Sequence, residues 1–156
     1  MFNIGMKNNL LQLKPFQNSS VRPPREAFGA QIWMLADSEG TGGAYNLFEI
    51  LLPPGYETPL HIHYAEDVAL YVLEGTLDIF WGTQQMHAQA GSFFFQPRGT
   101  PHGLRARGTK PVRITYMTVP AGFDRFVIEY GRSMTGYDSL IAQGRFKIEV
   151  LGSLPE

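Results

Sequence analysis

The stretch "HIHYAEDVALYVLEG" (residues 61–75) decides how this chain is read. His61 and His63 are two residues apart, and in an extended strand such residues project from one face. Two imidazoles on one face can be offered to a single metal ion. A hard or borderline metal also takes carboxylate ligands, and Glu66 and Asp67 stand close behind. The register of the strand nevertheless puts Val68 where a carboxylate would be useful. The segment therefore reads as a metal site, an altered metal site, or the relic of one.

Working outward, "VALYVLEG" (68–75) is apolar enough for a central strand buried on both faces, and Glu74-Gly75 reads as a hairpin-like turn into "TLDIFW" (76–81). Upstream, "AQIWMLA" (30–36) and "AYNLFEILL" (44–52) read as strands, the second stopped by Pro53, Pro54 and Gly55. Downstream, "SFFFQP" (92–97), "PHGLRA" (101–106) and "VRITYMTVP" (112–120) continue the series, while "TQQMHAQAG" (83–91) reads as a loop with a solvated His87. Strands about 8–12 residues apart with turn signals between them predict a β-sandwich or barrel. "VRPPREA" (21–27) is irregular, because its two prolines fix φ and remove donors. In "AGFDRFVIEYG" (121–131) the period changes: Phe123, Phe126, Val127 and Tyr130 share one helical face, with Gly131 as the stop. Asp138 is a cap for a short helix running to Gln143, and "RFKIEV" (145–150) alternates as a closing strand. The expected organisation is an N-terminal arm (1–25), a barrel (26–120), and a helical tail with closing strand (121–156), all in one domain.

Composition narrows the function classes. A chain of 156 residues with 44% hydrophobic and 17% charged residues suits one folded domain. Gly and Pro number 17 and 11, as many short strands joined by turns require. The formal net charge is −1 and no basic run is present, so nucleic-acid and membrane partners are not expected. With no cysteine, disulfides, thiolate metal sites and cysteine nucleophiles are excluded. No apolar stretch reaches signal-peptide or membrane-span length, and the expected location is cytoplasmic. A Gly-x-Ser-x-Gly elbow and a phosphate-cradling Gly-x4-Gly-Lys-Ser/Thr are both missing.

The third histidine of interest is His102, in "GSFFFQPRGTPHGLRA" (91–106). Gly91 and Gly99 bend this segment and Pro97 and Pro101 stiffen it, so the direction of His102 is controlled. Gly55-x5-His61-x-His63, followed by Gly75, resembles the first motif of the cupin superfamily, G-x5-H-x-H-x3/4-E-x6-G. Gly91-x5-Pro97-x-Gly99-x2-His102 resembles the second, G-x5-P-x-G-x2-H-x3-N. Fifteen residues separate Gly75 from Gly91. The resemblance covers residues 41–120, and "TGG" (41–43) and "PAGFDRF" (120–126) also resemble the bacterial quercetin dioxygenase-like single-domain cupins. It implies an all-β fold, a small double-sheet barrel of jelly-roll type, with short C-terminal helices here. It further implies a homodimer, and one divalent transition metal (Fe, Mn, Ni, Cu or Zn) on His61, His63 and His102 at about 2.0–2.2 Å.

Two positions depart from the pattern. The motif glutamate, seven residues before the glycine, is Val68, and the closing asparagine is Ala106. Counting forward from His63 would select Asp67, but a one-residue slip reverses the face of a strand, and the ungapped "ALYVLEG" favours Val68. Three arrangements stay open: the three histidines alone hold a metal with open positions, Glu66 supplies a fourth ligand, or no metal binds and the histidines serve as hydrogen-bonding and acid–base groups. A three-histidine site would carry the full +2 charge and favour anionic, oxygen-chelating ligands. Glu49, in the apolar "NLFEILL", is either solvated or turned inward as a base or as a support for a histidine. Gln96 packs a turn or meets a ligand. Arg105 and Arg107 point outward or clamp an anion. The expected function is dioxygenase-like oxidation of a small aromatic or enolic compound, with Glu49 and Glu66 as candidate catalytic groups. The alternatives are a non-catalytic small-molecule-binding protein and a metal-free isomerase.

Overall fold

The computed structural model describes residues 23–132 and 144–156. Two antiparallel sheets face each other. One has six strands in the order β1 (Arg25–Ala27), β2 (Ala30–Ala36), β3 (Asn46–Leu52), β10 (Val112–Val119), β5 (Asp67–Glu74) and β8 (Phe93–Gln96). The other has five in the order β11 (Ile148–Gly152), β4 (Leu60–His63), β9 (His102–Arg107), β6 (Thr76–Trp81) and β7 (Gln84–Gln89). The fold is all-β, as expected from the strand spacing.

Alternation decides which residues enter the barrel. In β3 the buried positions are Asn46, Phe48, Ile50 and Leu52, and in β10 they are Val112, Ile114, Tyr116 and Thr118. In β5 they are Val68, Leu70 and Val72. Period-two burial of this kind is what a sheet with one covered face produces. The expectation that β5 is buried on both faces is therefore corrected. Its outer residues Tyr71 and Leu73 are 41% and 38% exposed, beside Phe93 (65%) and Phe95 (52%) of β8.

The Glu74-Gly75 hairpin is corrected too. Strand β5 pairs with β10 and β8, whereas β6 pairs with β7 and β9, so the chain crosses from one sheet to the other at Gly75. Gly75 has φ 86°, and a Cβ there would lie 2.9 Å from Val112 Cγ2. Both facts demand glycine at this corner. Past the two prolines, Arg25–Ala27 is not irregular but forms the edge strand β1. It joins β2 through Phe28 and Gly29, both at positive φ, a two-residue hairpin turn. Residues 84–89, expected as loop, form β7 on β6.

The helix expected near residue 123 is α1 (Phe123–Tyr130). It closes one end of the barrel, with Phe126 stacked on Phe28 at 5.1 Å and Phe123 edge-on to Phe48 at 5.9 Å. Its N-terminal amides are capped from β3: Gly122 N and Asp124 N donate to buried Asn46 Oδ1. The short helix expected at 138–143 lies outside the described residues. The closing strand begins at Ile148, later than expected, because residues 144–146 take a helical turn. There Arg145 pairs with Glu129, and Phe146 packs on Phe126 and Tyr130. Among the described residues no helix is long and apolar enough to cross a membrane.

Candidate metal centre

Strands β4 and β9 lie side by side, with His61 directly opposite His102. His63 follows two residues along β4 on the same inward face. The three imidazoles converge: their potential ligand atoms lie within 4.8 Å of one another, and among the described residues they are the one such group. Ring centroids are 4.4 to 5.2 Å apart.

The hydrogen bonds fix which nitrogen faces inward. His61 Nδ1 lies 2.8 Å from Pro59 O, and His102 Nδ1 lies 2.9 Å from Thr100 O. A carbonyl oxygen only accepts, so each Nδ1 carries the proton and donates it. A neutral imidazole then leaves a bare lone pair on Nε2. His63 Nδ1 donates to Glu66 Oε1 at 2.5 Å. Burial, together with the neighbouring imidazoles, holds the ring of His61 well below the ordinary histidine range and that of His102 at about 4. Both rings are neutral at pH 7.

The Nε2 lone pairs of His61 and His102 are thus free of protons, and His63 completes the group. The buried Nε2 of His102 has no hydrogen-bond partner. An orphaned buried acceptor is costly, and a cation at the point of convergence would satisfy it. The residues present fit a divalent metal ion held by three imidazoles.

The carboxylates sort by face. Val68 is inward and 1% exposed, opposite Gln96 and Thr118, so the count from Gly75 gives the correct register. Asp67 points outward into a salt bridge with Arg98. Glu66 is 6% exposed and reaches the cluster only through His63. As a candidate catalytic group Glu49 is corrected: it lies on the outer face of β3, between inward Phe48 and Ile50, and pairs with Arg113. Arg105 and Arg107 are also outward, bound to Glu57 and to buried Asp78. His87, expected to be solvated, has an exposed ring whose Nδ1 pairs with Asp78.

The histidines form part of the wall of a cavity of about 350 Å³ inside the barrel. That lies within the usual size of small-ligand sites, roughly 300–1,000 Å³. The rest of the wall is mostly apolar, including Ile50, Leu70, Phe94, Leu104, Ile114 and Phe123, with Tyr56, Glu57, Thr58, Gln96 and Tyr116 as polar groups. Burial pushes the Tyr56 phenol up to about 12. Tyr116 is raised further, by burial first and then by Glu66 and Tyr56. Both phenols are neutral, and they can donate hydrogen bonds to a ligand oxygen.

Among the strand aromatics, Tyr116 lines the cavity, whereas Tyr71, Phe93 and Phe95 face outward. Phe94 and Tyr56 were missed. Phe94 shares strand parity with Gln96, and Tyr56 follows the glycine of the first motif; those were the available signals.

Comparison with known proteins agrees with this architecture. The family model described as "Cupin domain" matches residues 48–119. The chain is 28% identical over 102 residues to the tetracenomycin polyketide synthase protein TcmJ of Streptomyces glaucescens, covering 65% of this chain and 68% of that one. It is 29% identical over 106 residues to quercetin 2,3-dioxygenase of Bacillus subtilis, covering 65% of this chain but only 31% of the relative. Among solved structures, the polyketide cyclase RemF of Streptomyces resistomycificus superposes with a TM-score of 0.53 at 27% identity, covering 64% of this chain and 70% of that one.

Proposed function

We propose that this chain, which belongs to the cupin superfamily, holds one divalent transition metal ion on Nε2 of His61, His63 and His102 and carries out a dioxygenase-like oxidation of a small aromatic or enolic compound. The observation that carries this reading is the convergence of three imidazoles, one of them with a buried Nε2 that has no partner, on the wall of an apolar cavity.

When bound, the ion supplies Lewis-acid polarisation of a chelating oxygen pair and, if redox-active, a path for electrons from substrate to dioxygen. The protein's own groups do the rest. Pro59 O, Thr100 O and Glu66 hold the three rings in one tautomer and orientation. Val68 puts a methyl-bearing wall where a fourth ligand would stand, so positions remain for a substrate that binds through two oxygens. Phe94, Phe123 and the aliphatic side chains of the barrel exclude water from a planar ring. Tyr56 and Tyr116 offer hydrogen bonds to a ligand oxygen without adding charge.

Similarity to TcmJ and RemF, whose names refer to polyketide synthesis and cyclisation, supports an aromatic or enolic substrate. It also supports a second reading, metal-assisted ring closure that consumes no oxygen. Titrating the aerobically iron-loaded protein with catecholate is expected to produce a visible charge-transfer band with one site per chain. Absence of that band would sink the chelation reading. Oxygen uptake with enolic diketones separates the two reactions, because ring closure takes up none.

A further inference from the structure

Two of the three histidines are oriented by neutral backbone carbonyls, Pro59 O and Thr100 O. A carbonyl therefore suffices to hold an imidazole in this site. The third, His63, is held instead by a carboxylate, Glu66, at 2.5 Å. That carboxylate is 6% exposed, and a buried carboxylate is expensive unless its charge is used. Two residues further on, the inward position is the apolar Val68, 1% exposed. Asp67 cannot serve, because it faces outward and is held by Arg98 in three hydrogen bonds.

We propose that Glu66 is the displaced carboxylate of this site: from behind His63 it returns to the ion the negative charge that Val68 withholds, while the coordination position that a ligating carboxylate would fill stays open. This rests on the three histidines holding a metal. The net charge of ion and surroundings then matches that of a site with a directly bound carboxylate. One more position is available to a substrate. Glu66 acts through His63 and is a positioning residue.

Charge and orientation at Glu66 can be separated by substitution. In Glu66→Gln the amide oxygen still accepts from His63 Nδ1, but the charge is gone. Each variant is loaded with Co²⁺, and both Co²⁺ affinity and azide affinity of the loaded protein are read from the visible spectrum. For Glu66→Gln, Co²⁺ affinity is expected to fall about 10–100-fold. Azide affinity is expected to rise about tenfold, because the site gains one unit of positive charge. A residue that only holds the ring in place would lower the first without raising the second. The double variant Glu66→Gln/Val68→Glu moves the charge to the inward position. It is expected to recover Co²⁺ affinity to within about threefold of the original and to lose azide binding, since the open position is filled.

Unchanged Co²⁺ and azide affinities in Glu66→Gln would overturn the inference while leaving the metal centre standing. Weaker Co²⁺ binding without tighter azide binding would overturn it as well, and so would a double variant that binds Co²⁺ no better than Glu66→Gln. If Glu66→Gln does not fold, the double variant carries the test alone through its two affinities. Failure of the unmodified protein to bind Co²⁺ would overturn both the inference and the function it rests on.

Discussion

Each of the three histidines has its Nδ1 spent on an acceptor, and in His61 and His102 that acceptor is a carbonyl, which leaves Nε2 bare. The potential ligand atoms of the three rings lie within 4.8 Å of one another, and a cation among them would satisfy the unpartnered Nε2 of His102. The spacing of His61, His63 and His102 was legible in the sequence, because parity on a strand fixes the face. So was inward Val68, because the run to Gly75 contains no gap. The role of Glu66 was not legible. Its distance from the histidines follows from the path of residues 64–66 between β4 and β5, which no periodicity describes. Glu49 was ambiguous for a related reason. Its neighbours Phe48 and Ile50 are apolar, but so are Leu47 and Leu51 on its own face, and only pairing with Arg113 shows which face is outer.

Among the elements, α1 matters most to the cavity, since it carries Phe123 into the wall. Its own N-cap residue, Gly122, offers no side chain, and Asn46 of β3 supplies the acceptor for two amides. Asn46→Ala is expected to destabilise the protein by roughly 1–3 kcal/mol, because it leaves buried N–H groups unsatisfied. A urea midpoint unchanged from that of the unmodified protein would contradict this. Strand positions were readable from alternation and turn residues, but sheet membership was not. Gly75 at positive φ serves a hairpin and a crossover between sheets equally well. Apolar residues on the outer face of β5 look the same in sequence as residues buried on both faces. Residues 145 and 146 alternate with the strand that follows, yet Phe146 joins the aromatic cluster of α1 and turns the chain into a helical step before β11.

Across the whole molecule, one outer face does not look like a solvent face. Tyr71, Leu73, Phe93 and Phe95 lie together on β5 and the edge strand β8, each more than a third exposed. Contiguous apolar patches of this kind mark association surfaces. We propose that a second copy covers this face, giving the homodimer expected from the sequence. Light scattering is expected to give twice the chain mass, falling to one chain mass in Phe93→Glu/Phe95→Glu; a monomeric unmodified protein at micromolar concentration would overturn this. The histidine cluster lies inside the barrel, away from that face, and the proposed function stands or falls with its binding a metal. The measurement that tests it most directly is the metal content of protein purified anaerobically without a nickel column, beside that of His102→Ala. The account predicts about one equivalent of a divalent transition metal per chain, lost in a His102→Ala variant that keeps its far-ultraviolet circular dichroism. Protein that takes up no metal even after reconstitution with iron, manganese, nickel, copper and zinc, or a His102→Ala variant that retains a full equivalent, would contradict it.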